Sequence, residues 1–200
     1  FAASRAHRHA VEILGEYCGT LLSDDYGAYD AFAAKREAVM RAACWAHVRR
    51  KFVDAEDVEP ERVEHVLGLI RGIYRIEKEV REQRLEGEAK RDVRVEQSRP
   101  IVAELFAWLK QELAAHALLP TSPFTEAARH ALKRKTQLEV FVTDPAVPVD
   151  TNHLERALRP IPMGRKAWLF CWTEVGAEKV GIIQSLISTC VLHGIDPYTY

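Results

Sequence analysis

The sequence contains no uninterrupted apolar run near the roughly 20 residues that a membrane-spanning helix needs. Its first residues, with Arg5, His7 and Arg8 among them, lack the apolar stretch of a secretory signal. Cysteine is scarce and widely spaced, with no Cys-x-x-Cys pair, which favours a reduced, cytosolic chain. These absences predict a cytoplasmic protein without a membrane partner.

An excess of charge of one sign is also lacking, because 28 basic residues balance 29 acidic ones to a net charge of −1. Any signal for nucleic acid must therefore be local. With 48% hydrophobic residues the chain is not disordered. Its 200 residues suffice for one globular domain, or for a core with an inserted subdomain. The sequence does not begin with methionine, and we expect a fragment of a longer protein.

Common catalytic motifs are missing as well, since there is no Gly-rich phosphate loop, Walker motif or Gly-x-Ser-x-Gly elbow. Cys44 and His47 have the spacing of half a zinc site, but a second half would have to recruit Cys190 or His193. We therefore interpret Cys44 as a core residue. His47 is interpreted as a helix-surface residue or as one that supports a ligand of the site.

The apolar pattern divides the chain into three parts, 1–53, 54–148 and 149–200. The first part predicts two strands, 20–23 and 38–44, with helices before, between and after them. The middle part predicts a helical block, with amphipathic helices that begin near prolines. The last part predicts a helix from about His153, a turn at 163–166 and a closing helix that ends before Gly194.

The run from Glu77 to Glu96 alternates in charge and carries almost no apolar residues. Pairs such as Glu77 with Arg81, one helical turn apart, are typical of a solvated helix face. We therefore predict that this run continues the helix before it and has no chemical role.

Asp24 is the first candidate for chemistry, because it stands where a buried strand ends. Open α/β sheets commonly hold their ligands at that edge. The alternative is an aspartate that caps the following turn. Asp25 is the weaker candidate, since neighbouring side chains on an extended backbone point in opposite directions.

Glu155 is the second candidate, and Asn152 precedes it by three residues, so the two share one helix face. The same spacing resembles a capping box, which would be a structural role. Four cations follow within residues 155–166, namely Arg156, Arg159, Arg165 and Lys166. Cations beside a carboxylate suit a phosphodiester substrate, in which cations hold the backbone and carboxylates hold a metal ion.

Four blocks of sequence, taken together, indicate a family resemblance. They are Gly19-x-Leu21-x-Ser23-Asp24-x-Tyr26-x-x-Tyr29, Cys44-Trp45-Ala46-His47-x-Arg49-Arg50-Lys51-Phe52, Asp150-x-Asn152-x-x-Glu155-Arg156-Ala157-Leu158-Arg159-Pro160 and Gly164-Arg165-Lys166-x-Trp168-Leu169-Phe170. In this order and spacing the chain closely resembles the transposases of the insertion sequence 66 family. The resemblance covers essentially the whole chain.

The resemblance implies an α/β, mostly helical fold, in which a partial RNase H-like core of the DDE type is interrupted by a large all-helical insertion. Asp24 matches the second catalytic aspartate of the family and Glu155 its catalytic glutamate, and both are implied ligands of Mg²⁺ or Mn²⁺. Asp25 replaces a usual glycine and Thr151 a usual asparagine. The first catalytic aspartate falls before Phe1, so we expect the isolated chain to be inactive.

The implied function is metal-dependent cleavage and strand transfer of insertion-element DNA ends. The implied partners are element and target DNA, further copies of the chain, and accessory proteins, in the cytoplasm or on the nucleoid. DNA phosphates would contact the cations of 155–166 and also Arg49, Arg50 and Lys51, while Asn152 and His47 would support the ligands. Asp24 and Glu155 should then lie within about 10 Å, the reach of one two-metal site.

Two alternatives remain. One is a non-catalytic DNA-binding or assembly module, and the other is an RNase H-like nuclease or resolvase without strand transfer.

Overall fold

The computed structural model describes residues 7–24, 26–115, 118–168 and 173–200, except for the side chains of residues 7 and 165–168. The elements of the described residues follow in the order α1 (His7–Leu14), β1 (Gly19–Ser23), α2 (Gly27–Ala33), β2 (Val39–Ala43), α3 (Trp45–Val53), α4 (Pro60–Glu82), α5 (Gly87–Val93), a π-helical turn (Arg94–Ser98), α6 (Arg99–Ala114), α7 (Pro123–Lys133), α8 (Lys135–Thr143), α9 (Asn152–Leu158), α10 (Pro160–Trp168) and α11 (Glu174–Leu192). An α/β, mostly helical fold is thereby confirmed, while the RNase H-like core stays a prediction.

The chain forms two compact units. The larger unit is Leu14–Thr151, and the smaller unit combines Phe1–Ile13 with Asn152–Tyr200. Both strands, α3 and the helical block belong to the larger unit. The predicted three-part division into 1–53, 54–148 and 149–200 stays a prediction.

β1 and β2 form a two-stranded parallel sheet, and both strands lie where the sequence predicts them. The register runs from Gly19 opposite Val39 to Ser23 opposite Ala43. Parallel strands need a crossover connection, and α2 lies in it. Since the carboxyl ends of parallel strands share one edge, the residues after Ser23 and Ala43 emerge at the same edge.

The core of the larger unit lies between α3 and the helical block. Trp45, Val48 and Phe52 on α3 are fully buried, as their spacing on one helix face requires. The indole N–H of Trp45 donates to the carbonyl of Leu138 on α8 at 3.0 Å. Its ring lies 6.3 Å from that of Phe141 on the same helix, which the sequence did not predict.

The prediction of one solvated helix through residues 77–96 is wrong. α4 ends at Glu82, and Arg84 and Gly87 both take left-handed backbone conformations (φ 53°), so the chain turns before α5. The physical reason is a pair distant in sequence. Arg94, fully buried, forms an ion pair with Glu77, which the local spacing had assigned to Arg81.

The predicted turn at 163–166 is also wrong, because these residues lie within α10. Proline is compatible with the first turn of a helix, where α10 begins at Pro160. Gly164 in a helix interior costs only about 1 kcal/mol relative to alanine, so it does not force a turn. The apolar run that follows extends beyond the described residues.

The closing helix α11 agrees with the sequence prediction. The hydroxyl of Thr173 accepts a hydrogen bond from the N–H of Gly176 at 3.0 Å, and Gly194 follows the helix at φ 68°. Among the described helices, α11 is the one long and apolar enough to span a membrane, with a mean hydropathy of 1.3. One such helix is weak evidence for a span, and the cytoplasmic location stays a prediction.

Candidate functional site

Asp24 lies directly after β1, partly exposed, at the carboxyl edge of the sheet. Its Oδ1 accepts a hydrogen bond from the backbone N–H of Tyr26 at 3.2 Å, and its carbonyl accepts one from the hydroxyl of Ser23 at 2.9 Å. The turn-capping role foreseen for Asp24 is therefore present. The same bond holds the carboxylate at the edge where a ligand would bind. Asp25 lies outside the described residues.

Cys44 follows β2 at the same edge and is buried, as predicted for a core residue. Its Sγ accepts two hydrogen bonds from Thr151, one from the backbone N–H and one from the hydroxyl, both at 3.3 Å. The next residue, Trp45, donates its backbone N–H to the carbonyl of Val149 at 3.1 Å. The segment before α9 is thus bonded to the carboxyl end of β2.

Two more elements hold this segment. The phenol of Tyr74 on α4 donates to Oδ2 of Asp150 at 2.8 Å. Burial, followed by this hydrogen bond, raises the pKa of Tyr74 far above its usual range. The hydroxyl of Thr20 on β1 donates to Oδ2 of Asp144 at 3.3 Å. Thr20 stands four residues before Asp24, so the strand that carries Asp24 is also bonded to this segment.

α3 presents the basic residues that the sequence singles out. Arg49, Arg50 and Lys51 are exposed on this helix, immediately after the end of β2. Exposed cations on one short helix are available to a polyanion. His47 is partly buried on the same helix, so it is not a fully exposed surface residue.

α9 carries Glu155 in the smaller unit. Glu155, Arg156 and Arg159 are exposed, and Asn152 is partly buried. Nε of Arg156 donates to the carbonyl of Asn152 at 3.2 Å, along one turn of the helix. Arg165 and Lys166 lie in α10, and their side chains are outside the described residues.

The predicted site is thus described in two parts. The larger unit holds Asp24, His47 and the three cations of α3, and the smaller unit holds Glu155 with the residues around it. The convergence of Asp24 and Glu155 on one metal site stays a prediction. Within the described part of the chain, no three His, Cys, Asp or Glu side chains form a metal-binding group.

The bonds of the segment 144–151 were not foreseen from the sequence. From the sequence, Thr151 is only a replacement for a usual asparagine, and Tyr74 has no role beyond its helical spacing. One local signal was present, because the segment combines two prolines, Pro145 and Pro148, with the aspartates 144 and 150. Such a segment lacks the regular backbone bonds of a helix and needs side chains to fix it.

Residues 1–179 match the family described as Transposase IS66 family. The chain belongs to this family. Membership confirms the resemblance carried by the sequence blocks around Asp24, Cys44 and Glu155. It supports a transposition-related function.

Three curated relatives of this IS66-family chain are uncharacterized proteins of Sinorhizobium fredii (strain NBRC 101917 / NGR234). Protein y4qI is 35% identical over 192 residues, which cover 92% of this chain and 35% of that protein. Protein y4jD is 31% identical over 210 residues, 100% of this chain and 40% of that protein. Protein y4hP is 30% identical over 213 residues, 98% of this chain and 38% of that protein.

The chain therefore spans 35–40% of the length of these relatives. No solved structure matches the chain significantly.

Proposed function

We propose that this chain is part of a DDE-type transposase that cleaves and joins the DNA ends of an insertion element. Asp24 and Glu155 are its metal-binding carboxylates, and the cations of α3, α9 and α10 hold DNA phosphates. The observation that carries the proposal is the pair of hydrogen bonds from Thr151 to Cys44, because they bring the chain that leads to Glu155 to the edge of the sheet where Asp24 emerges.

The path of the chain within the larger unit supports the proposal. Neighbouring parallel strands lie about 4.8 Å apart, so Asp24 and Cys44 leave their strands as neighbours. Thr151 is in hydrogen-bond contact with Cys44. Glu155 follows Thr151 by about one helical turn, a rise of about 6 Å. The convergence of Asp24 and Glu155, which are distant in sequence, on one two-metal site is part of the proposal.

The donor set fits a hard divalent cation, because Mg²⁺ and Mn²⁺ prefer carboxylate oxygens and need few of them from the protein. The hydrogen bond from Tyr26 fixes Asp24 through Oδ1, and Oδ2 is oriented with it. Asp24 and Glu155 would hold such ions, which would supply electrostatic stabilisation to the oxygens of an in-line phosphoryl displacement. In this proposal the chain positions the carboxylates of Asp24 and Glu155, and its cations neutralise the DNA phosphates next to them.

The exposed cations support DNA as the substrate. Arg156 on α9 and Arg159 in the turn directly after it are both exposed. Arg49, Arg50 and Lys51 are exposed on α3, directly after the edge where Asp24 emerges. In a chain of net charge −1, cations concentrated next to candidate carboxylates indicate a local binding surface.

The test is a DNA-cleavage assay with the complete reading frame that encodes this chain, in Mg²⁺ or Mn²⁺. Asp24→Asn and Glu155→Gln each remove one charge with little change of shape, and we expect each to lower cleavage by about 10²-fold or more. The matched controls are Asp57→Asn and Glu178→Gln, which alter exposed carboxylates of the larger and the smaller unit. We expect cleavage by these controls to match that of the wild type.

Unchanged cleavage by the Asp24 and Glu155 variants would contradict the proposal and favour a DNA-binding or assembly module. An assay with pre-cut DNA ends distinguishes a transposase from the remaining alternative, an RNase H-like nuclease without strand transfer. Such a nuclease would give no joined product. In a Mn²⁺-bound crystal structure, carboxylates of Asp24 and Glu155 more than about 10 Å apart would also contradict a shared site.

A further inference from the structure

Arg94 is a fully buried cation in the π-helical turn between α5 and α6. Its Nε and Nη2 donate to the two carboxylate oxygens of Glu77 on α4, each at 2.7 Å. This is a bidentate guanidinium–carboxylate pair, the arrangement that fixes both partners in angle as well as distance. α4 thereby sets the orientation of the guanidinium.

The remaining donor group of Arg94 faces the segment that leads to α9. Its Nη1 donates to the backbone carbonyls of Phe141 at 2.8 Å, Asp144 at 3.2 Å and Val147 at 3.0 Å. The last carbonyls of a helix lack donors from their own helix. Arg94 supplies an N–H donor to one carbonyl in the last turn of α8 and to two carbonyls after the helix. Its guanidinium carbon also lies 5.3 Å from the centre of the Phe141 ring.

A buried ion pair contributes little net stability, because burial removes the favourable hydration of both charges. Its distinctive property is geometric, because the planar guanidinium of Arg94 (its fork of N–H donors) binds one carboxylate and three carbonyls at fixed angles. The π-helical turn adds to this, because such turns are rare and often occur at functional sites. The pair is therefore better suited to fixing the path of the chain than to stabilising the core.

We propose that Arg94, oriented by Glu77, is a positioning residue that fixes the segment 141–147 and thereby the chain that enters α9, the helix that carries Glu155. The proposal rests on the proposed function, because it assigns how that site is assembled. Asp144 contributes to the same end. Its carbonyl binds Arg94, and its side chain binds Thr20 on the strand that precedes Asp24.

The test compares variants of the complete reading frame. Arg94→Met removes the fork, and Arg94→Met combined with Glu77→Leu also removes the carboxylate that would be left without its partner. The matched control is Arg62→Met, which breaks an ion-pair group between α4 and Glu112 of α6. Three quantities are measured, namely hydrogen exchange of the amides in 144–151, affinity for Mn²⁺ by electron paramagnetic resonance, and the kcat and KM of DNA cleavage.

For Arg94→Met we expect exchange in 144–151 to rise at least tenfold, with amides of the α4 interior unchanged. We expect Mn²⁺ affinity and kcat to fall at least tenfold each, while KM for DNA stays within twofold. The double variant should regain the melting temperature of the wild type without regaining Mn²⁺ affinity, since an apolar pair restores packing but not the fork. Arg62→Met should leave exchange, affinity and kcat unchanged.

Recovery of Mn²⁺ affinity together with melting temperature in the double variant would overturn the positioning role, and so would unchanged exchange in 144–151. Asp24→Asn and Glu155→Gln identify which proposal fails. If they weaken Mn²⁺ binding while Arg94→Met does not, the positioning role alone is overturned. If neither weakens it, the proposed metal site fails, and the positioning of Glu155 for it fails too.

Discussion

Trp45→Phe tests the packing of α3 against the helical block. Trp45 is fully buried, and its indole N–H donates to the carbonyl of Leu138 at 3.0 Å. Its ring also lies 6.2 Å from that of Phe106. Phenylalanine keeps an aromatic ring in the same place, but it removes the donor and the second ring of the indole.

The expected loss has three contributions. The smaller ring leaves roughly 40 Å³ unfilled, which at about 24 cal/mol per Å³ costs about 1 kcal/mol. Removing the hydrogen bond to Leu138 costs about 1 kcal/mol. The apolar surface lost with the second ring costs about 1 kcal/mol more. The free energy of unfolding should therefore fall by about 3 kcal/mol, with a range of about 2–4 kcal/mol.

The assay is urea unfolding of the 200-residue chain, followed by far-UV circular dichroism so that the removed fluorophore does not affect the signal. The matched control is Trp108→Phe. Trp108 is partly buried, and its indole N–H donates to no atom of the described residues. We expect the control to lose about 1 kcal/mol. A loss for Trp45→Phe no larger than that of the control would refute the assigned role of the indole.

Two further predictions concern Tyr74 and the cations of α3. Burial raises the pKa of Tyr74, and its hydrogen bond to the carboxylate of Asp150 raises this pKa further. The protonated phenol therefore stabilises the folded state below about pH 10, and this contribution to the free energy of unfolding is lost as the pH rises further. In a tyrosinate absorbance titration, Tyr74 should ionise only on unfolding, and Tyr74→Phe should abolish that step; ionisation of Tyr74 near pH 10 in the folded chain would contradict it. Replacing residues 49–51 by alanine should reduce the magnitude of the salt dependence of double-stranded DNA binding, the slope of log K for association against log salt concentration, by about 2–3. The free energy of unfolding should change little. Alanine at the exposed Arg71, Arg75 and Lys78 of α4 serves as the control, and an equal fall there would contradict a specific role for α3.

Strong local signals in the sequence account for the parts of the fold that were predicted correctly. The first strand is a short apolar run between Gly19 and Asp24, and the second is a short, mostly apolar run around Ala42. α3 was predictable because Trp45, Val48 and Phe52 recur at helical spacing. The position of Asp24 at the strand end followed directly from the strand.

The parts that were not predicted depend on contacts between residues far apart in sequence. Glu77 has a plausible local partner one turn away, and nothing in the sequence indicates that Arg94 competes for it. The chain reversal between them includes Arg84 at φ 53°, a conformation that non-glycine residues rarely adopt. α10 was missed for the opposite reason, because Gly164 suggested a break that the helix tolerates.

The segment 144–151 gives the helical block a role that the sequence alone did not suggest. Its bonds come from β1 through Thr20, from the end of β2 through Cys44, from α4 through Tyr74 and from the π-helical turn through Arg94. Each bond closes a long loop, and the rest of the folded unit has to offset the entropic cost of that closure. A core substitution such as Trp45→Phe should therefore alter the carboxyl edge of the sheet near Asp24 only as far as it unfolds the larger unit. Loss of Arg94, in contrast, should release the segment 144–151 while the core stays folded. The two substitutions therefore separate the stability of the block from its control of the path that leads to Glu155.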